Sequence, residues 1–482
     1  MEADSINRPK SLFPWRAARR GLVGLAIFAT LIAAFYAEEN WRGKRAWEKC
    51  KRELEAKGMN FSWDAFIPPP VPDEQNIFKV PKMAEWFVRN GPPQTATNEF
   101  SQRLANPKTG SVGGASNAIQ SAADAREYLA WSDQFSPEFD LMREALRRPY
   151  ARMDGDYARP ATIPVPNFIM MRIVDQTLAQ RAHCFLLIGE PDKALRELTL
   201  FHNLCRVLEG APTGKPMTLV AAMINVAVTG LYANTVADGL LMNAWREPEL
   251  IALQQQLGEI NLTPILETSF RCEQISSTRT LETTPRAELI KLFDGFDQAY
   301  RNSHQAAFRL ITFAPQGWFY QNMVAHAQFG RPFLDAFDVT NQTVSPRHLD
   351  ESARAIQDAV DHDFRHHFLT SLAMPNFVKA IQRFALNQTS ATGAAVACAL
   401  ERYRLVHGGY PETLNALAPQ FIAKLPHDTM GQPFKYRRAG EGRFLLYSVG
   451  WNETDDDGKT TFDQNGFIEN TSPDWAWPLR KP

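Results

Sequence analysis

The seventeen residues from Gly21 to Ala37 carry no charge, and a helix rising 1.5 Å per residue takes such a run across roughly 25 Å, the depth of a thin hydrocarbon core. Its flanks are those of a membrane span. Trp15 precedes the run, and Tyr36 and Trp41 close it, where interfacial aromatic belts belong. Arg16, Arg19 and Arg20 lie just upstream and Glu38 and Glu39 just downstream, which keeps residues 1 to 20 in the cytoplasm. Arg42, Lys44, Arg45, Lys49, Lys51 and Arg52 follow closely and weaken that bias over a wider window. Cleavage after Ala37 would put Phe35 at the −3 position, where a signal peptidase needs a small residue, so residues 21 to 37 are expected to remain as an anchor.

A second uncharged stretch, Met217 to Ala233, carries Thr218, Asn225 and Thr229, with Asn234, Thr235 and Asp238 just beyond. Polar groups at that density are costly in lipid, so the stretch is expected to be a buried core helix. The rest of the chain is compatible with a large folded domain. Apolar residues make up 44%, and 52 Lys+Arg against 53 Asp+Glu leave a formal charge of −1, which excludes a protein built to track phosphate backbones. Nucleic acid is therefore not an expected partner. Cys50, Cys184, Cys205, Cys272 and Cys398 show no CxxC spacing and are expected as buried apolar residues.

Residues 38 to 375 show helix periodicity with interruptions, which predicts a large irregular α-helical domain. Trp41 to Lys57 continues from the anchor and stops at Gly58. Phe66-Ile-Pro-Pro-Pro-Val-Pro72 predicts polyproline geometry, because each Pro lacks a donor and restrains its predecessor. Its apolar neighbours Phe61, Trp63, Phe66 and Ile67 predict packing along the domain surface, the alternative being an exposed ligand for a partner. Gln94 to Asn117 is expected as a loop. Its glycines lack the Lys-Ser/Thr of a phosphate-cradling loop. Asn167 to Leu208 predicts a helical hairpin turning at Gly189-Glu-Pro-Asp192. The run from Ala182 to Leu198 resembles the middle of a tetratricopeptide unit, but no second copy follows at the roughly 34-residue period such arrays need. A peptide-binding helical domain is therefore an alternative, not the main expectation. Further helical patterns cover Glu247 to Ile260, Arg286 to Leu310 and Leu349 to Leu372.

Within the last of these, His362 and His366 stand one helical turn apart, a spacing that can hold zinc. Where H-E-x-x-H has its catalytic Glu the chain has Asp363, one methylene shorter, and no third ligand is evident. A metal-dependent hydrolase using this region is the enzymatic alternative. No nucleophile elbow, Walker loop, dinucleotide fingerprint or kinase set occurs.

Residues 376 to 482 form the tail. A helical pattern from Ala394 to Leu405 ends at Gly408-Gly409, and Pro433 to Arg437 and Arg443 to Ser448 predict an antiparallel hairpin around Arg438-Ala-Gly-Glu-Gly442. Tyr403, Gly409-Tyr410-Pro411, Leu414, Leu417, Leu425-Pro426, Asp428, Gly431, Pro433, Tyr436, Tyr447-Ser448 and Gly450 follow in order. On these residues the tail resembles the C-terminal domain of the major pseudopilin of type II secretion systems. The whole chain is similar to a group of large bacterial membrane-anchored envelope proteins that share the anchor, the Pro-Pro-Pro-Val-Pro-Asp segment and this tail. In pseudopilins the membrane helix runs directly into the C-terminal helix, whereas here several hundred residues intervene.

The resemblance implies a small α+β tail, a bacterial inner-membrane location with the bulk of the chain on the periplasmic side, protein partners, and calcium in the loop after the last hairpin. The candidate ligands are Ser448, Asn452, Glu453, Asp455, Asp457 and Asp463. Calcium takes six to eight oxygens, and an ion would offset repulsion among adjacent carboxylates. Glu453-x-Asp455-x-Asp457-Gly458 also half-matches an EF-hand loop, with Glu at the first position and Gln464 at the last. The plain alternative is a solvated acidic turn. The sequence thus predicts a mainly α protein with one transmembrane helix, a helical envelope domain and a pseudopilin-like tail, acting by interaction and not by catalysis.

Overall fold

The computed structural model describes residues 15–89, 99–105, 119–158, 160, 163–209, 218–294, 298–440, 442–464 and 466–478. Helix accounts for 68% and strand for 7%, about twice the helix content of ordinary soluble domains. In chain order α1 is Trp15–Ala56, α2 Met83–Phe87, α3 Glu99–Ala105, α4 Ala122–Ser132 and α5 Ser136–Ala145. The long helices follow: α6 Phe168–Leu187, α7 Pro191–Leu208, α8 Leu219–Leu241, α9 Glu247–Glu259 and α10 Thr263–Thr283. Then come α11 Arg286–Asp294, α12 Gln298–Ser303, α13 Gln305–Phe313, α14 Gln316–Asp335, α15 Pro346–His362 and α16 Phe364–His407. Strands are short. β1 Val88–Arg89 pairs with β2 Val165–Pro166, and β3 Phe337–Asp338 with β4 Thr343–Val344. β5 Lys435–Ala439, β6 Arg443–Ser448 and β7 Trp475–Trp477 form an antiparallel sheet in which β6 is central.

Contacts divide the chain into two units that are discontinuous in sequence. One takes the chain through Met59 together with Thr284–Ala325 and Ala359–Leu372; the other takes Asn60–Thr283, His326–Asp358 and Ala373–Pro482.

In the first unit α1 runs unbroken from the apolar segment into a packed region. Leu22, Leu25, Phe28 and Leu31 are exposed, whereas Trp47, Cys50 and Leu54 are buried. The helix ends as the sequence predicts, with Gly58 at φ +86°. Phe319 of α14 and Phe368 of α16 are fully buried and meet edge to face at 5.6 Å. Asn322, also buried, ties the same two helices, because its Oδ1 accepts the Leu369 N–H at 2.8 Å. The pattern over Arg286 to Leu310 is helical in α11, α12 and α13, with a break at His304; residues 295–297 lie outside the described residues. Likewise the pattern over Leu349 to Leu372 breaks at Asp363, the junction of α15 and α16.

In the second unit the predicted hairpin is α6 and α7, joined through Gly189, with Ala182 and Ala194 fully buried where close packing needs small residues. Inside it, Arg181 pairs with Glu197 at 3.2 Å, donates to Ser132 Oγ at 2.6 Å and pairs with Asp133 at 2.9 Å. That network satisfies a buried guanidinium that would otherwise be costly. The second apolar stretch is α8, which packs on α6, α7 and α10, and 61% of its most apolar window is buried against 0% for α1. Trp63 packs with Cys272 and Ile275, and Phe61, Phe66 and Ile67 lie against them, so the proline segment lies on the domain as expected. Ile67 (φ −66°, ψ 123°) and Pro72 (φ −60°, ψ 138°) have extended, polyproline-like angles, while Phe66 closes a short 3-10 helix, Trp63–Phe66. Of the expected loop from Gln94 to Asn117, residues 94–98 and 106–117 lie outside the described residues, while Glu99–Ala105 is helix and buries Phe100 and Leu104.

The tail shares part of its core with the helices that precede it. Ala391, Ala394 and Ala397 to Leu400 of α16 are buried in one cluster with Leu417, Phe421, Phe434, Leu446 and Trp477 and with the side chains of α6 to α9. The small residues of α16 let the sheet approach closely. The expected hairpin is present, with Tyr436 opposite Leu446. The third strand, β7, was not evident from the sequence.

Candidate functional site

The candidate calcium residues follow β6. Ser448, at its end, donates to Asp428 Oδ2 at 2.5 Å. Asp428 Oδ1 in turn accepts the N–H groups of Met430 and Gln432 at 3.0 and 2.8 Å, which makes it the fastener of the turn before β5. Burial pushes its carboxyl up, and the three donors only partly pull it back. Asn452 stays within its own loop, bonding Asp456 at 3.0 Å and the Thr454 N–H at 2.9 Å. Glu453 is exposed and holds a left-handed φ of 54°, as does Asp457 at 60°. Asp463 accepts the Phe467 N–H at 3.0 Å.

The remaining carboxylates face cations of the adjacent strand. Lys435 reaches Asp455 at 3.1 Å and Arg437 reaches Asp457 at 2.7 Å; these residues stand two apart on β5 and so share a face. The Lys435 bond, with the Tyr447 hydroxyl at 2.9 Å, holds the Asp455 carboxyl below its ordinary range. Burial pushes the Tyr447 hydroxyl up to about 12, with Asp455 adding to the shift. Beneath the loop Asp474 is fully buried, and its Oδ2 accepts the N–H groups of Asp456 and Gly458 at 3.0 and 2.6 Å. Five of the six candidate ligands are therefore engaged separately, and the Glu453 side chain is exposed. Among the described residues no three His, Cys, Asp or Glu side chains converge as a metal cluster. Two basic side chains supply positive charge beside Asp455 and Asp457.

The histidine pair also has a different geometry from that expected. His362 is the last residue of α15 and is exposed, whereas His366 lies in the first turn of α16, beyond the break at Asp363. They do not share a helix. His366 instead joins a cluster on α1. Its Nδ1 lies 2.7 Å from Asp363 Oδ2 and its Nε2 3.9 Å from Glu39 Oε2. Glu39 is buried two residues after the apolar run; it accepts Trp318 Nε1 at 2.8 Å and pairs with Arg42 at 2.9 Å. Partial burial pushes the Asp363 carboxyl up, but the His366 hydrogen bond, with Arg365 and His367, outweighs it and leaves the carboxyl below its ordinary value.

Contacts on either side of Glu39 complete a clamp between α1 and the turn from α13 into α14. The Tyr36 hydroxyl donates to the Phe313 carbonyl at 2.6 Å, and Asn40 Oδ1 accepts the Gly317 N–H at 2.8 Å. Gly317 and Gly43 face each other with no room for a Cβ; one built on Gly317 would overlap the Glu39 carbonyl. The clamp fixes the base of the anchor helix by these polar contacts and a glycine crossing. Sequence reasoning missed it because its partners lie about 280 positions apart. The one available signal was Glu39, an acid directly after an apolar run. No protein family, curated protein or solved structure matches the chain.

Proposed function

We propose that the chain is a single-pass protein of a bacterial inner membrane, anchored by residues 21 to 37, that holds a large periplasmic helical domain and its pseudopilin-like tail close to the bilayer for protein partners and performs no catalysis. One observation carries this reading: the apolar half of α1 is wholly exposed while its polar continuation, Glu39 through Leu54, buries one face. For a helix in water that distribution is inverted, and lipid around the apolar half removes the contradiction. The resemblance of the tail adds the link to secretion or pilus-like assemblies. Full-length protein is expected to fractionate with membranes and resist carbonate extraction, and a chain lacking residues 1 to 37 to be released. Release of the full-length chain by carbonate would overturn the anchor.

A second reading, peptide binding, is favoured by a groove of about 450 Å³ between the end of α5 and α7, lined by Arg143, Arg147, Leu195, Arg196 and Leu200. A photo-crosslinker at Leu195 should capture peptide there, and one at exposed Ile251 on α9 should not.

A further inference from the structure

The stretch from α12 into the first half of α14 has an unusual composition. From Gln298 to Ala325 there is no acidic residue, while there are two arginines and six aromatic residues. An acid-free segment that pairs arginines with aromatic rings has the balance of one lying at a lipid headgroup boundary. The fold places it at that level. The Tyr36 hydroxyl, one residue before the end of the apolar run, is bonded to the Phe313 carbonyl. Phe313 at the end of α13 is 71% exposed, above every exposed large apolar side chain outside α1 among the described residues. Around it Ala307 and Ile311 are buried, so α13 is held from below, while Arg309, Thr312 and Phe313 face outward. On α1, one turn further from the apolar run, Trp41 is 62% exposed with the Arg45 guanidinium 5.4 Å from its ring centroid. Aromatic rings backed by cations at the edge of an apolar span are the arrangement of an interfacial belt.

We propose that the outer face of α13, with Phe313 as the wedge and Arg309 as the phosphate contact, lies in the headgroup region of the same bilayer that α1 crosses. The surface belongs to an anionic lipid leaflet, because the segment offers arginines and no carboxylate to whatever covers it. The membrane then meets this unit at two places, the span and the wedge, and the Glu39 clamp lies between them as a fixed joint. The proposal rests on the anchor reading, and the experiment separates the two.

Full-length chain carrying Phe313→Cys is labelled with a polarity-sensitive fluorophore and reconstituted into vesicles of phosphatidylethanolamine and phosphatidylglycerol. Labelled native chain supplies the background of its five cysteines. Leu31→Cys reports the span and Glu55→Cys the far end of α1. The expected result is blue-shifted emission at 313, quenched by shallow spin-labelled lipid more than by deep, deep quenching at 31, and solvent-like emission at 55. Adding Arg309→Glu to the chain labelled at 313 should reduce the shallow quenching there, and adding it to the chain labelled at 31 should leave the deep quenching unchanged. Solvent-like emission at 313 with deep quenching at 31 would overturn the proposal and keep the anchor. Shielding at 313 without any lipid quenching would assign the face to a protein contact and overturn the proposal equally. Absence of quenching at 31 would overturn the anchor, and the proposal with it.

Discussion

Replacing Gly317 with Ala tests the clamp at its tightest point. The new Cβ would overlap the Glu39 carbonyl and stand 2.8 Å from the Asn40 nitrogen, where ordinary contact begins at 3.4 Å. Neither neighbour is a flexible side chain, so the α14 start must move off α1. That movement opens the Asn40–Gly317 bond and the Trp318–Glu39 bond, both 2.8 Å. A neutral hydrogen bond is worth about 1 kcal/mol net and one to a charged group about 2 kcal/mol, so the unit should lose about 3 kcal/mol. Cys50 provides the assay. It is buried on α1 in this unit, while the other four cysteines belong to the second unit. When closing is faster than labelling, thiol modification tracks the open population, and about 3 kcal/mol corresponds to roughly 150-fold. In full-length protein in detergent, Cys50 should label about a hundredfold faster in the variant, with Cys184 and Cys398 unchanged. Gly258→Ala, on α9 with nothing within 4 Å of the new methyl, is the control and should have no effect on Cys50. A Cys50 rate in Gly317→Ala within about threefold of native would mean the clamp contributes under 1 kcal/mol and would refute the reasoning.

Asp175 of α6 is fully buried, neither carboxylate oxygen has a hydrogen-bond partner, and burial raises its pKa well above the usual range. A folded-state pKa raised above the unfolded value gives stability that is present at low pH and lost as pH rises through the folded value, so thermal melts should fall toward alkaline pH in the native chain and flatten in Asp175→Asn. Ser448→Ala removes a buried donor to Asp428 and should cost about 2 kcal/mol, read as a lowered denaturation midpoint of the second unit with α1 unaffected. Chelation at matched ionic strength should leave the melting curve unchanged, because Lys435 and Arg437 already neutralise Asp455 and Asp457; a clear drop would show that calcium displaces them.

Much of the secondary structure was legible because it depends on local chemistry. The α6–α7 hairpin follows from two amphipathic runs around Gly189 and Pro191, and the β5–β6 hairpin from alternation about a Gly-containing turn. The breaks were not legible. Asp363 is an ordinary helix residue by propensity, and the turn there is held by bonds to its own near neighbours: its carbonyl lies 2.7 Å from His367 Nδ1 and its carboxylate binds His366. Nor was β7 legible. Three residues, Trp475 to Trp477, form a strand only because β6 offers an open edge and Trp475 fills the core beneath it.

The candidate site divides along the same line. A run of Asp residues is visible in any sequence, but whether they face a metal, water or cations depends on which side chains the next strand presents. Here the period of two along β5 places Lys435 and Arg437 on one face, each within ion-pair reach of one loop carboxylate. Those two residues were present in the predicted strand, and their alternation was the signal that the loop had partners. Glu39 carried a comparable signal, since an acid at the end of an apolar run is costly unless something receives it. What receives it, Trp318, is brought there by the Gly43–Gly317 crossing. Close glycine contacts between distant segments cannot be read from one chain alone, and it is this contact that makes the exposed apolar half of α1 and the exposed Phe313 neighbours.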